Sequence, residues 1–178
     1  MALDDDSWGY GLYAKGGSYT LDDPDGEVED TFSTHWGGKV TFYPQRRGRR
    51  AFLAVETGSF TLDADRSGLV NNEVSMIAAR LGYEMRYNLS RDFKIWFGGT
   101  INGANIESEN RFTLASDGFL DENLRSRDHS AVGFTVFADT YFELTEQGDI
   151  QLGVGPFYER YANNGVEAFG LKITLERQ

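Results

Sequence analysis

The sequence predicts an all-β fold, an eight-stranded antiparallel up-and-down transmembrane β-barrel, from three observations. A two-residue alternation of apolar and polar side chains returns eight times along the 178 residues. The connections between these stretches alternate between compact and long, and aromatic residues gather toward the ends of the apolar faces. Successive side chains of a strand point to opposite sides of the sheet, so period-two alternation gives each strand one greasy and one polar face. The clearest stretch runs from Ile77 to Tyr87. One parity reads Ile77, Ala79, Leu81, Tyr83, Met85 and Tyr87; the other reads Ala78, Arg80, Gly82, Glu84 and Arg86.

The remaining strands obey the same rule. The first places Trp8, Tyr10, Leu12 and Ala14 opposite Tyr13 and Lys15, and the second Trp36, Gly38, Val40 and Phe42 opposite Lys39 and Tyr43. The third sets Leu53 and Val55 against Glu56, and the fourth is the Ile77 to Tyr87 stretch. The fifth sets Phe93, Ile95, Phe97 and Ile101 against Lys94, Trp96, Thr100 and Asn102. The sixth sets Val132, Phe134, Val136, Ala138 and Phe142 against Thr135, Asp139 and Glu143. The seventh carries Ile150, Leu152, Val154 and Tyr158 opposite Gln151 and Glu159, and the eighth Phe169, Leu171, Ile173 and Leu175 opposite Lys172. Pro156 falls on the apolar parity of the seventh strand. It cannot donate to a ladder, so a bulge or a strand end is expected there.

Links after strands two, four and six are compact, at residues 44–50, 88–91 and 145–149. Those after strands one, three and five are long or polar, at 22–33, 63–72 and 106–128, with a shorter tip at 163–165. Short turns at one rim and longer loops at the other are how membrane barrels are built. Parity alone does not say which face points inward, and a soluble lipocalin-like barrel alternates as well, with its apolar face around a ligand. The aromatic ends, the loop asymmetry, and a polar parity mixing glycine with charges of both signs favour an apolar exterior and a narrow polar lumen.

Composition bounds the rest. The length suits a single domain over residues 1–178. Absence of cysteine removes disulfides, thiolate metal sites and cysteine nucleophiles. A net charge of −11 disfavours nucleic acid as a partner, since binding its phosphates wants a basic face. No apolar run approaches the roughly 20 residues of a spanning helix, and a mean hydropathy of −0.46 is compatible with strands that alternate. Met1-Ala2 running into Asp4, Asp5 and Asp6 reads as a mature chain behind a new initiator methionine.

The C-terminal stretch Gly170-Leu171-Lys172-Ile173-Thr174-Leu175 resembles the insertion signal of outer-membrane barrels, with Gly170, Ile173 and Leu175 in its key places. Ala168 stands where a polar residue is usual, and Glu176-Arg177-Gln178 come after it where such chains often end on an aromatic. With the eight strands, the whole chain resembles the small Gram-negative outer-membrane barrels of the OmpA transmembrane-domain, OmpX/Ail and OmpW kind. The resemblance implies short periplasmic turns, longer extracellular loops, surrounding outer-membrane lipid and lipopolysaccharide, and insertion by the barrel-assembly machinery. It implies no single activity.

Candidate sites come from the polar faces and loops. Lys15, Lys39, Glu56, Arg80, Glu84, Arg86, Lys94, Asp139, Glu143 and Glu159 share the inward parity, and in an eight-stranded barrel they are expected to pair across the lumen and plug it. A narrow porin-like solute channel is the alternative. Asp63, Asp65 and Ser67 open like a calcium loop, but Glu73 falls one residue short of the bidentate position, so no cofactor is expected beyond a weakly bound divalent cation such as Ca2+. Arg46, Arg47, Arg49 and Arg50 form the one basic cluster, expected on a periplasmic turn facing lipid headgroups or a partner. Loop 106–128 carries Phe112, Leu114, Phe119, Leu120 and Leu124, which are expected either to fold it down over the barrel mouth or to offer a surface to an envelope protein. Catalysis finds little support: His129 and Ser130 are adjacent on one strand and so point to opposite faces, which disfavours a lipid A-modifying enzyme. The function expected is a non-enzymatic outer-membrane barrel displaying loops for interaction, adhesion or envelope assembly.

Overall fold

The computed structural model describes residues 7–22, 28–44, 48–62, 69–89, 94–116, 119–162 and 166–178. Alternation becomes eight strands: β1 (Ser7–Asp22), β2 (Val28–Tyr43), β3 (Arg49–Leu62), β4 (Leu69–Asn88), β5 (Lys94–Ser116), β6 (Phe119–Glu143), β7 (Ile150–Tyr161) and β8 (Val166–Arg177). Each pairs antiparallel with its sequence neighbour, and β1 pairs with β8 to close the barrel. Traced from pair to pair, the ladder runs Tyr10, Val40, Leu53, Leu81, Ile101, Phe134, Arg160, Glu167 and returns to β1 at Thr20. Closure therefore offsets the sheet by ten residues, the kind of stagger that tilts strands by about 35–45°.

The apolar parity faces outward. Phe97, Phe134 and Leu171 are exposed, whereas Arg80 and Asp139 are buried, which rules out the soluble ligand-enclosing barrel. From Ile77 to Tyr87 every outward residue is apolar or aromatic and exposed. Ten steps of about 3.3 Å along a strand tilted about 40° span about 25 Å, the height of a membrane barrel's apolar band. Trp8 against Phe42, at 5.0 Å between ring centres, lies at the short-turn end of this belt, and Phe134 against Tyr158, at 6.1 Å, toward the other.

Above the belt the parity inverts. On β4, Val74 and Met76 point inward and are buried, while Glu73 and Ser75 are exposed. The same exchange occurs on β5, where Ala104 and Ile106 are buried and Asn105 and Glu107 exposed, and on β6, where Ala131 is buried and Ser130 exposed. Strands that leave lipid for water must turn polar outside and can then bury apolar side chains within. Tyr19, Phe60, Val74, Met76, Ile106, Tyr161 and Val166 close into a hydrophobic cap at the long-loop end.

Two expectations are corrected. Residues 106–128 are not a loop: β5 and β6 run on as a paired hairpin, Ile106 opposite His129 through Ser116 opposite Phe119. The strand pairing simply continues there, through a stretch whose many polar residues make it look like a loop in the sequence. At Pro156 there is neither a bulge nor an end. β7 passes through it, and the ladder to β6 only skips Ala138 and Asp139, with the same register on either side. Position 156 faces Ala138 across a hydrogen-bonded pair, and proline has no N–H to give the Ala138 carbonyl. That carbonyl instead leans over Gly155, where an added Cβ would lie 1.8 Å from it. Pro156→Ala is therefore expected to stabilise the barrel by about 1 kcal/mol, since an unmet carbonyl at membrane depth is costly. Gly155→Ala is expected to prevent stable closure; urea titration of the heat-modifiable gel band reads both.

The periplasmic turn between β6 and β7 is tied by the Thr145 hydroxyl, which donates to Asp149 at 2.5 Å. This hydrogen bond holds the half-buried Asp149 carboxyl below its ordinary range. The turn is thus supported above the ordinary carboxylate pKa and loses that support as pH falls through the depressed value. A carbon-13 titration of Asp149 should show the depression, and Thr145→Val should move the midpoint upward.

Candidate functional site: a filled lumen beneath an apolar cap

Inward side chains from all eight strands meet in two ionic layers. In the upper one, nearer the cap, Arg80 of β4 donates to Glu56 at 2.7 Å, to both Glu159 oxygens at 2.7 and 3.0 Å, and to Thr135 at 2.7 Å. Lys15 of β1 joins the same two carboxylates, at 2.8 Å to Glu56 and 2.7 Å to Glu159. Two cations face two anions, so the layer is neutral. His35 roofs it: its Nδ1 lies 3.3 Å from Glu56 and its ring stacks on Tyr19 at 4.3 Å.

The lower layer holds three cations and three anions. Arg50 binds Glu84, with Nε 2.5 Å from Oε2, and lies between the rings of Trp96 and Tyr141 at 4.2 and 4.3 Å. Lys39 reaches Glu176 at 2.7 Å, and the Tyr43 hydroxyl donates to the same carboxylate at 2.5 Å. Lys172 pairs with Asp139 at 2.7 Å, its ammonium 3.3 Å from the centre of the Phe137 ring. Each ion is buried. Burial of charge is tolerable only with pairing, and the ring faces add cation–π attraction to Arg50 and Lys172 beside their carboxylates.

Between the layers lies a cavity lined by Tyr13, Phe52, Phe137, Lys172 and their neighbours, with about 30 Å³ open to the centre of a water-sized sphere. That is room enough for a water molecule.

Of the residues expected in the lumen, Lys15, Lys39, Glu56, Arg80, Glu84, Asp139 and Glu159 come together here. Arg86, Lys94 and Glu143 do not. Arg86 is half-buried at the periplasmic rim over Trp96, and Lys94 and Glu143 are exposed. They have the inward parity but sit at strand ends, below the enclosed volume. Arg50 leaves the expected basic turn: it is the first inward residue of β3, two before Phe52, and is wholly buried. Arg49 is exposed, and Arg46 and Arg47 lie outside the described residues. Glu176 and Lys172 complete the network. Lys172 already lies on the polar parity of the eighth strand, and continuing that alternation through Thr174 past the strand's apparent end would have reached Glu176.

Asp63, Asp65 and Ser67 lie outside the described residues, and Glu73 sits on β4, exposed and opposite Thr61 and Glu109. Among the described residues no group of three acidic or histidine side chains is placed to hold a metal. On β6, Ser130 is exposed to the outside of the barrel, and the His129 side chain is outside the described set. Gly170, Ile173 and Leu175 lie on β8, Gly170 against Gly17 of β1, with Ile173 and Leu175 outward in the belt.

A closed ladder of eight strands, an apolar belt of membrane height and an ion-paired interior define an outer-membrane β-barrel. Among solved structures the chain is similar to Neisserial surface protein A (NspA), with 11% identity, 97% of this chain and 98% of that one covered, and a TM-score of 0.57. It is similar also to Ail, the attachment invasion locus protein of Yersinia pestis (9% identity, 95% and 96% covered, TM-score 0.57). Ail in complex with the heparin analogue sucrose octasulfate matches at 10% identity, 96% and 97% covered, and a TM-score of 0.56. At such identity the likeness is one of fold. No protein-family model and no curated protein sequence matches the chain.

Proposed function

We propose that this chain is a non-conducting, non-enzymatic outer-membrane scaffold that presents an acidic extracellular surface to a cationic partner, in adhesion or envelope assembly. The segregation of charge carries the reading. Of 28 acidic and 17 basic residues, the ionic layers use five of each, and the short-turn end with the N-terminal residues holds seven of each. Segments 22–30, 63–73, 105–128 and 160–167 at the extracellular end hold the other sixteen acids and five bases, which is the entire net charge of −11. A field of one sign steers and selects partners of the other. The β5–β6 hairpin extends this surface beyond the belt. The polyanion bound by Ail is the wrong sign for such a face, so a basic protein or peptide surface fits and a sulfated glycan does not.

Protein reconstituted in liposomes is expected to capture fluorescent polylysine, to release it in 0.5 M salt, and to ignore heparin. Planar bilayers containing it should stay electrically silent. Preferred binding of heparin would overturn the cationic partner; discrete conductance steps would overturn the filled scaffold in favour of a channel.

A further inference from the structure

We infer that the periplasmic feet of β3, β4 and β5 form a binding site for the headgroup of an anionic phospholipid in the inner leaflet. Seven of the ten cations whose side chains are described have a carboxylate. The five interior ones are paired as above, Arg160 meets Glu167 at 3.1 Å, and Arg177 lies 4.0 Å from Asp149. Arg49, Arg86 and Lys94 have none among the described residues. All three stand at one rim, on three successive strands. The Arg86 amide donates to the Gly48 carbonyl beside Arg49, Arg86 pairs with Trp96, and Asn88 pairs with Lys94. Neighbouring strands are about 4.8 Å apart, and the β4 partners of Arg49 and Lys94, Met85 and Asn88, are three residues apart, so the three feet fall within about 14 Å, a gap that their long side chains can close on one headgroup.

The membrane is the source of the phosphate because Arg49 continues the lipid-facing parity of Leu53 and Ala51, with Met85 as its partner and Tyr87 next outward on β4. A cation at the lower edge of an apolar belt sits at headgroup depth, and a guanidinium can fork to phosphate. Among the described residues, the exposed acids of this rim, Glu143 and Glu146, stand at the β6–β7 turn, away from the feet of β3, β4 and β5. This site is at the opposite end from the proposed acidic display surface and does not rest on it.

The test is native mass spectrometry of the refolded full chain from micelles containing equal phosphatidylglycerol and phosphatidylcholine. Wild type should retain phosphatidylglycerol preferentially. Each of Arg49→Gln, Arg86→Gln and Lys94→Gln should lower the ratio about fivefold, as expected for one interfacial cation, and the triple variant should abolish it. Arg160→Gln, at the far rim, should leave it unchanged, and heat-modifiable migration shows which variants are folded. Equal retention of both lipids by wild type, or an unaltered ratio in any folded single variant and in the Arg160→Gln control alike, would overturn the inference.

Discussion

Arg80→Leu is expected to destabilise the barrel by about 3–5 kcal/mol, because it strands buried carboxylates rather than because it removes a favourable pair. Arg80 holds both Glu56 and Glu159, and its loss leaves the upper layer with two anions and the single ammonium of Lys15. Urea unfolding in detergent micelles, monitored by the heat-modifiable band, reads the loss. The informative partner is Arg80→Leu with Glu159→Leu, which restores neutrality with Lys15 and Glu56 and replaces ions by apolar volume. It should recover more than half of the stability. A double variant as unstable as the two single losses combined would show that charge balance is not what holds the layer.

Leu81→Arg should cost about 2–4 kcal/mol, whereas Ser75→Arg, outward on the same strand six residues nearer the extracellular end, should cost about 0–1 kcal/mol. Leu81 lies in the belt, exposed to lipid. Ser75 lies above the inversion of parity, where Val74 and Met76 have taken the inside. Stability in lipid vesicles measures both, and a similar penalty at the two positions would mean that the membrane reaches higher than the exchange of faces indicates.

The inversion of parity also marks how far the strands are legible in the sequence. Val74 and Met76 alternate with Glu73 and Ser75 as plainly as Leu81 alternates with Arg80, only with the faces exchanged. A search for one greasy parity stops at Ile77 and takes the residues on its extracellular side for loop. The hairpin at 106–128 escapes such a search for the same reason. Arg50 is hidden differently: four arginines around Gly48 look like one solvated cluster, and only the strand start at Arg49 separates the outward Arg49 from the inward Arg50.

The sequence by itself determined the number of strands, their antiparallel order and the face that meets lipid. A period of two is local and needs only the pleat of a strand and the cost of placing charge in hydrocarbon. Which ions meet was decided by tertiary structure. Lys15 and Glu159 are 144 residues apart and touch because a ten-residue stagger brings β1, β3, β4 and β7 to one level of a lumen too narrow to leave them solvated. The cap was decided in the same way. Tyr19, Phe60, Met76 and Val166 become a core only when closure places four distant strand ends around one axis above the membrane.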